Sequence, residues 1–144
     1  MIKEFSLKQI ENVARQVVNS CRHKIILLNG NLGAGKTTLV NHIAHHLGCS
    51  SSVSSPTFGI VNELDLDGEP AYHIDLYRIE HLEELAQLGF DEYVSSGNYC
   101  FIEWPEVGMP YIPEEHHVIT LEQVNENTRK ISFIWVLLND LAII

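Results

Sequence analysis

The sequence is short of cations: nine lysines and arginines stand against nineteen aspartates and glutamates, a net charge of −10 over 144 residues. So acidic a chain repels polyphosphate backbones at long range. That excludes free nucleic acid as a direct partner unless a second protein supplies the positive surface. Long apolar runs are also missing. None reaches the ~18 residues that cross a bilayer, so no membrane partner is expected. Met1 to Ser6 lacks the apolar core of a signal peptide, and the expected compartment is cytoplasmic. Cysteines are few and far apart (Cys21, Cys49 and Cys100), with no C-x-x-C pair, and read as reduced, buried thiols. There is no internal repeat, linker or low-complexity tract, so the expectation is one domain over residues 1–144.

What is present is a globular composition, with 45% apolar and 19% charged residues. Ser6 and Gln9 have the spacing of a capping box, and Ile10, Val13, Ala14, Val17 and Val18 follow at helical period, predicting a helix to about Ser20. Lys24 to Asn29 is a short, β-branched apolar run suited to a strand buried on both faces. Leu39, Val40, Ile43, Ala44 and Leu47 trace a second helix, stopped by Gly48. Ser50 to Pro56 reads as a polar loop. Phe58 to Leu64 and Ala71 to Leu76 read as a hairpin turning over Asp65 to Pro70. A short helix around Leu82 to Leu88 ends at Gly89. Tyr99 to Ile102 repeats the buried-strand pattern, and His117 to Val124 and Arg129 to Val136 read as a final strand pair. His42, His45 and His46 fall at helical spacing, either as a metal site or as a solvated face near a helix C-terminus, where imidazolium is mildly favoured.

Between the buried strand and the second helix lies Gly30-Asn31-Leu32-Gly33-Ala34-Gly35-Lys36-Thr37, which fits G-x-x-x-x-G-K-[ST] without a mismatch. The chemistry accounts for the spacing. Backbone N–H groups curl around phosphate oxygens, and side chains would block that approach, so glycines recur. The N-terminal end of the following helix adds positive potential. Asn31, Leu32, Gly33, Ala34, Gly35, Lys36, Thr37 and Thr38 are therefore the candidate nucleotide-binding residues. The Lys36 ammonium is placed to reach the outer phosphates, and the Thr37 hydroxyl to ligate Mg2+. No N-K-x-D guanine-reading element occurs, which leans the reading towards ATP.

Hydrolysis also needs a carboxylate for the metal and a group that places water. Asp75 and Glu103 each follow an apolar strand run, and acids at the C-terminal ends of sheet strands lie near such a loop. Each could equally be an ordinary exposed acid. Ser54 to Thr57 is either a polar turn or a loop whose Thr57 hydroxyl senses the terminal phosphate.

These residues resemble the TsaE (YjeE) family, the small ATPase of bacterial tRNA threonylcarbamoyladenosine synthesis. Gly30 to Leu39 resembles the family's phosphate loop, Ser55-Pro56-Thr57-Phe58 its first switch and His73-Ile74-Asp75-Leu76-Tyr77-Arg78 its second. Leu88 to Tyr93 and Ile102-Glu103-Trp104-Pro105-Glu106 match further blocks, in family order between Ser6 and Arg129. The resemblance implies an α/β P-loop NTPase domain, a mixed central sheet with helices on both faces. It implies ATP and Mg2+ as cofactors, with Thr37 and Glu103 at the metal, Asp75 close to it, and Lys36, Asp75 and Glu103 as the catalytic set. Thr57, Asp75, Arg78 and Trp104 would be the switch residues. TsaD- and TsaB-like proteins would be the partners, with tRNA reached only through that complex. The chain departs from the family in carrying Asn31 where Asp is usual and Arg22-His23 where Gly-Asp is usual. The apolar tail from Leu137 to Ile144 has no counterpart we can map. Two other classes stay open: a small-molecule kinase, disfavoured by four scattered arginines, Arg15, Arg22, Arg78 and Arg129, and a nucleotide-dependent binding module without turnover.

Overall fold

The computed structural model describes residues 1–50 and 60–137. Thr57, most of the Ser50 to Pro56 loop, the start of the strand expected from Phe58, and the tail beyond Leu137 lie outside the described residues.

Among the described residues, seven strands form one mixed sheet: β1 (Ile2–Ser6), β2 (Ile25–Asn29), β3 (Val61–Leu66), β4 (Glu69–Asp75), β5 (Cys100–Glu103), β6 (His116–Gln123) and β7 (Thr128–Val136), in the order β1-β7-β6-β2-β5-β4-β3. β4, β5, β2 and β6 run parallel, while β3, β7 and β1 are antiparallel to their neighbours. The first four residues of β2 are all buried, as expected of a central strand covered on both sides. Its side chains alternate between two cores. Ile26 and Leu28 meet helices α1 (Ile10–Ser20) and α2 (Lys36–His46). Ile25 and Leu27 meet α3 (Leu82–Leu88) and α4 (Phe90–Val94) on the opposite face. Helices thus cover both faces of a mixed sheet, the arrangement the sequence implied.

α1 buries Ile10, Val13, Ala14 and Val17 against Leu39, Val40, Ile43 and Ala44 of α2. Each fully buried valine, leucine or isoleucine contributes about 1.5–3 kcal/mol. This packing fixes α2, and with it the loop that α2 terminates, against the sheet.

The structure also departs from the sequence reading. β1 was not expected. It is an edge strand in which only Phe5 is buried, so its apolar signal is weak and pairing with β7 creates it. A 3₁₀ turn, Leu7–Gln9, precedes α1, and Gln9 Oε1 accepts the Ser6 N–H at 2.9 Å. The hairpin turns more tightly than expected, over Asp67-Gly68 alone, both at positive φ (54° and 95°), as a type I′ hairpin turn requires. Asp65 closes it by accepting the Gly68 N–H at 2.6 Å. Pro70 is tolerated because β4 joins β5 only from Tyr72 onward. Beyond Gly89 the chain re-enters a helix as α4, and Pro105–Tyr111 forms a 3₁₀ segment after β5; neither has a strong period in the sequence.

Candidate functional site

The site lies where β2, β4 and β5 end. β2 leads directly into the glycine-rich loop and α2 continues from it. Gly30 has no substitute here: a Cβ on it would stand 2.7 Å from the Leu121 carbonyl oxygen of β6. Gly35, at φ 105°, turns the chain into α2 through a region that side chains disfavour. The Ala34 N–H closes the turn onto the Asn31 carbonyl at 3.1 Å. The Ala34 carbonyl accepts Arg129 Nε at 3.0 Å. Because C=O and N–H oppose each other across a planar trans peptide, this bond points the Gly35 N–H away from Arg129.

Lys36 is buried although it is a lysine. Its ammonium donates to the Gly30 carbonyl at 2.6 Å and lies 3.8 Å from the centre of the Trp104 ring. Burial pushes its pKa down, against the opposing pull of the Glu103, Asp75 and Glu106 carboxylates. The Thr37 hydroxyl donates to Glu103 Oε2 at 3.0 Å, and His73 Nε2 lies 2.5 Å from the same oxygen. Glu103 is 4% exposed. Burial alone would raise its carboxyl, but the His73 hydrogen bond and charge, the Thr37 bond and the Lys36 ammonium outweigh that and hold it below the ordinary value. Glu103 is therefore a buried, ionised carboxylate rather than an ordinary exposed acid.

Asp75 pairs with Glu103 across β4 and β5. Its Oδ1 accepts the Tyr77 N–H at 3.0 Å. Trp104 follows Glu103 at φ 54°, a left-handed conformation for a non-glycine residue, costing about 1–2 kcal/mol. The turn brings the indole over Lys36 and within 5.0 Å of the Tyr77 ring.

One cleft of about 330 Å³ is lined by Leu32, Gly33, Gly35, Lys36, Thr37, Thr38, Asp75, Glu103 and Trp104, all named from the sequence as site residues, together with Tyr77, which the sequence placed only within the second-switch segment. Asn31 and Ala34 face a neighbouring hollow of about 250 Å³ against Thr120 to Gln123 of β6. Arg78 is exposed and does not line the cleft. Thr57 lies outside the described residues. The Thr37 hydroxyl and the ionised Glu103 carboxylate are hard oxygen donors within hydrogen-bonding distance, a donor set that suits Mg2+.

Two residues of the site escaped the sequence reading as functional groups. His73 touches Glu103, and Arg129 holds the loop. Strand alternation carries a signal for the first: His73 and Asp75 share one face of β4, as Phe101 and Glu103 share that face of β5. Arg129 lies 95 residues from Ala34 and has no local signal. Glu11 joins His42, His45 and His46 along a groove on α1 and α2, but among the described residues no three His, Cys, Asp or Glu side chains are placed to hold a metal. Cys49 and Cys100 are buried, and burial pushes Cys100 up to about 12.

A glycine-rich loop between a central parallel strand and a helix, with a carboxylate from the adjacent strand on the threonine that follows the lysine, defines the P-loop NTPase class of α/β fold. Comparison with known proteins narrows the class. Residues 5–131 match the family model described as threonylcarbamoyl adenosine biosynthesis protein TsaE. Relatives named tRNA threonylcarbamoyladenosine biosynthesis protein TsaE are 37% identical in Haemophilus influenzae (71% of this chain, 65% of the relative) and 38% in Bacillus subtilis (76% and 68%). The Rickettsia prowazekii protein of that name is 34% identical over 86% of this chain and 87% of its own length. The crystal structure of Bacillus subtilis YdiB superposes with a TM-score of 0.68 at 26% identity, covering 99% of this chain and 92% of that one. The chain belongs to the TsaE family.

Proposed function

We propose that this chain binds MgATP in the cleft between the glycine loop and Trp104, hydrolyses it slowly, and serves tRNA threonylcarbamoyladenosine synthesis in the cytoplasm. The observation that carries this reading is the Thr37–Glu103 contact at 3.0 Å beside the buried Lys36 ammonium. Binding needs a cation for the outer phosphates and two oxygen ligands for a divalent ion, and these three side chains supply them in one place.

When bound, Mg2+ supplies charge neutralisation at the phosphate oxygens. The remaining work falls to the chain's own groups. Lys36 gives up its place over Trp104 to engage phosphate. Loop amides surround the anion without side chains in the way. Glu103 stays ionised and so accepts hydrogen bonds, and Asp75, beside it at the cleft wall, is the candidate for orienting water. The transfer of threonylcarbamoyl is left to TsaD- and TsaB-like partners, which nucleotide turnover drives. The net charge of −10 suits a component that leaves tRNA contact to others.

Two measurements test this. Calorimetry with ATP, GTP and Mg2+ is expected to show ATP binding that requires the intact loop. Purification from the chain's own cell is expected to bring down TsaD- and TsaB-like proteins. GTP bound as tightly as ATP overturns the nucleotide assignment. A chain recovered without those partners under ATP-saturated conditions overturns the partner assignment.

A further inference from the structure

His73 has one hydrogen-bonded nitrogen and one that is left over. The side chain is fully buried on β4. Nε2 reaches Glu103 Oε2 at 2.5 Å, whereas Nδ1 is buried with no partner among the described residues. A carboxylate only accepts, so Nε2 carries the hydrogen and donates. An unpartnered buried polar nitrogen is destabilising, and a phenylalanine or leucine would fill this space without that penalty. Packing therefore does not explain a histidine here. What the imidazole adds is one donor aimed at one carboxylate oxygen.

The other neighbours of Glu103 are drawn elsewhere once ligand arrives. In the proposed function the Thr37 hydroxyl turns to a divalent ion, and the Lys36 ammonium turns to phosphate. His73 has no such second task. It sits behind the carboxylate in the sheet and does not line the cleft. A hydrogen bond from outside the ligand shell that fixes a metal-binding carboxylate in one orientation strengthens metal affinity.

We propose that His73 is a positioning residue, a fixed donor that holds the Glu103 carboxylate in the orientation that receives a divalent cation. The inference rests on the reading of Glu103 given above. Its test is Mn2+ binding, followed by electron paramagnetic resonance, in the presence of a non-hydrolysable ATP analogue. His73→Leu removes the donor, and His73→Gln restores an N–H at a similar reach. In His73→Leu the Mn2+ midpoint is expected to rise about tenfold or more, with metal-free analogue affinity held within about threefold and His73→Gln recovering most of the loss. An unchanged midpoint in His73→Leu, with Glu103→Gln shifted, overturns the role of His73 alone. A Glu103→Gln midpoint equal to that of the unsubstituted chain overturns the metal role of Glu103 and this inference with it. Should His73→Leu fail to fold, nitrogen NMR of the intact protein decides. A slowly exchanging His73 Nε2 hydrogen whose resonance moves in Glu103→Gln supports the contact, and a rapidly exchanging one overturns it.

Discussion

The Lys36 ammonium rests 3.8 Å from the centre of the Trp104 ring while donating to the Gly30 carbonyl. The cation is thus held by the chain itself, on an indole that a strained turn puts in place. The ring contact contributes about 0.5–2 kcal/mol and the Gly30 carbonyl is a neutral acceptor, whereas phosphate offers the ammonium a charged one, the stronger kind of bond. Phosphate is expected to win Lys36 from the ring. With Trp135→Phe removing the second tryptophan, the emission of Trp104 is expected to change on saturation with ATP and Mg2+. A spectrum indifferent to both would contradict this placement.

Lys36→Ala removes the cation from the cleft. The loss of a charge-assisted contact of about 1.5–3 kcal/mol corresponds to roughly 10- to 150-fold weaker ATP binding. Isothermal calorimetry reads this directly. A dissociation constant within twofold of the unsubstituted chain would remove Lys36 from the proposed site.

Glu103→Gln keeps the size of the side chain and its capacity to accept from Thr37, but removes the charge. Nucleotide is expected still to bind, while turnover falls about 100-fold or more, the scale of a lost acid–base or metal-ordering group. Phosphate release under single-turnover conditions is the measurement. Unchanged turnover would take Glu103 out of the mechanism and favour a module that binds without hydrolysing.

His117 predicts a pH dependence far from the cleft. Its Nε2 accepts the N–H groups of Arg22 (2.9 Å) and His23 (3.1 Å), and Nδ1 pairs with the Ile134 carbonyl (3.2 Å). This requires the neutral ring. Burial pushes its pKa below the ordinary 6.5, helped by His23, His116 and Arg22 and opposed by the Ile134 bond. Below that ordinary value the unfolded chain takes up a proton that the folded chain resists, so stability falls as pH drops. His23 is shifted in the same direction, first by burial. The thermal midpoint is expected to decline between about pH 7 and pH 5, and His117→Gln, whose amide oxygen can accept from Arg22 or His23, to flatten the slope. A slope unaltered by His117→Gln would assign the acid sensitivity elsewhere.

Arg129→Met keeps the buried stem and removes the donors to Ala34, Asn125 and Glu126. Weaker ATP binding with a lowered thermal midpoint is the expected result. A loss of stability alone, with affinity intact, would make Arg129 a purely structural residue.

Much of this site was legible because its signals are local. β2, the loop and α2 are consecutive, and each has its own period or motif, so Lys36 and Thr37 could be placed without knowing the sheet order. Asp75 and Glu103 were legible as strand-end acids. The burial of Glu103 and its pairing with Asp75 were not, since these depend on β4 lying beside β5. His73 was hidden by its apolar neighbours Tyr72 and Ile74, because its partner is diagonal and on another strand. β1 and the 3₁₀ segment from Pro105 were hidden because tertiary pairing, not periodicity, forms them. Arg129 looked like one of four scattered arginines until the fold closed.

That arginine has a mechanical consequence. Its guanidinium grips the turn between β6 and β7 with one nitrogen and the glycine loop with another. The turn is exposed, where a neighbouring protein can touch it, whereas Ala34, the loop residue the guanidinium holds, is buried. A push on the hairpin would travel through a single rigid plane to the Ala34 carbonyl, and so to the loop proposed to hold the nucleotide.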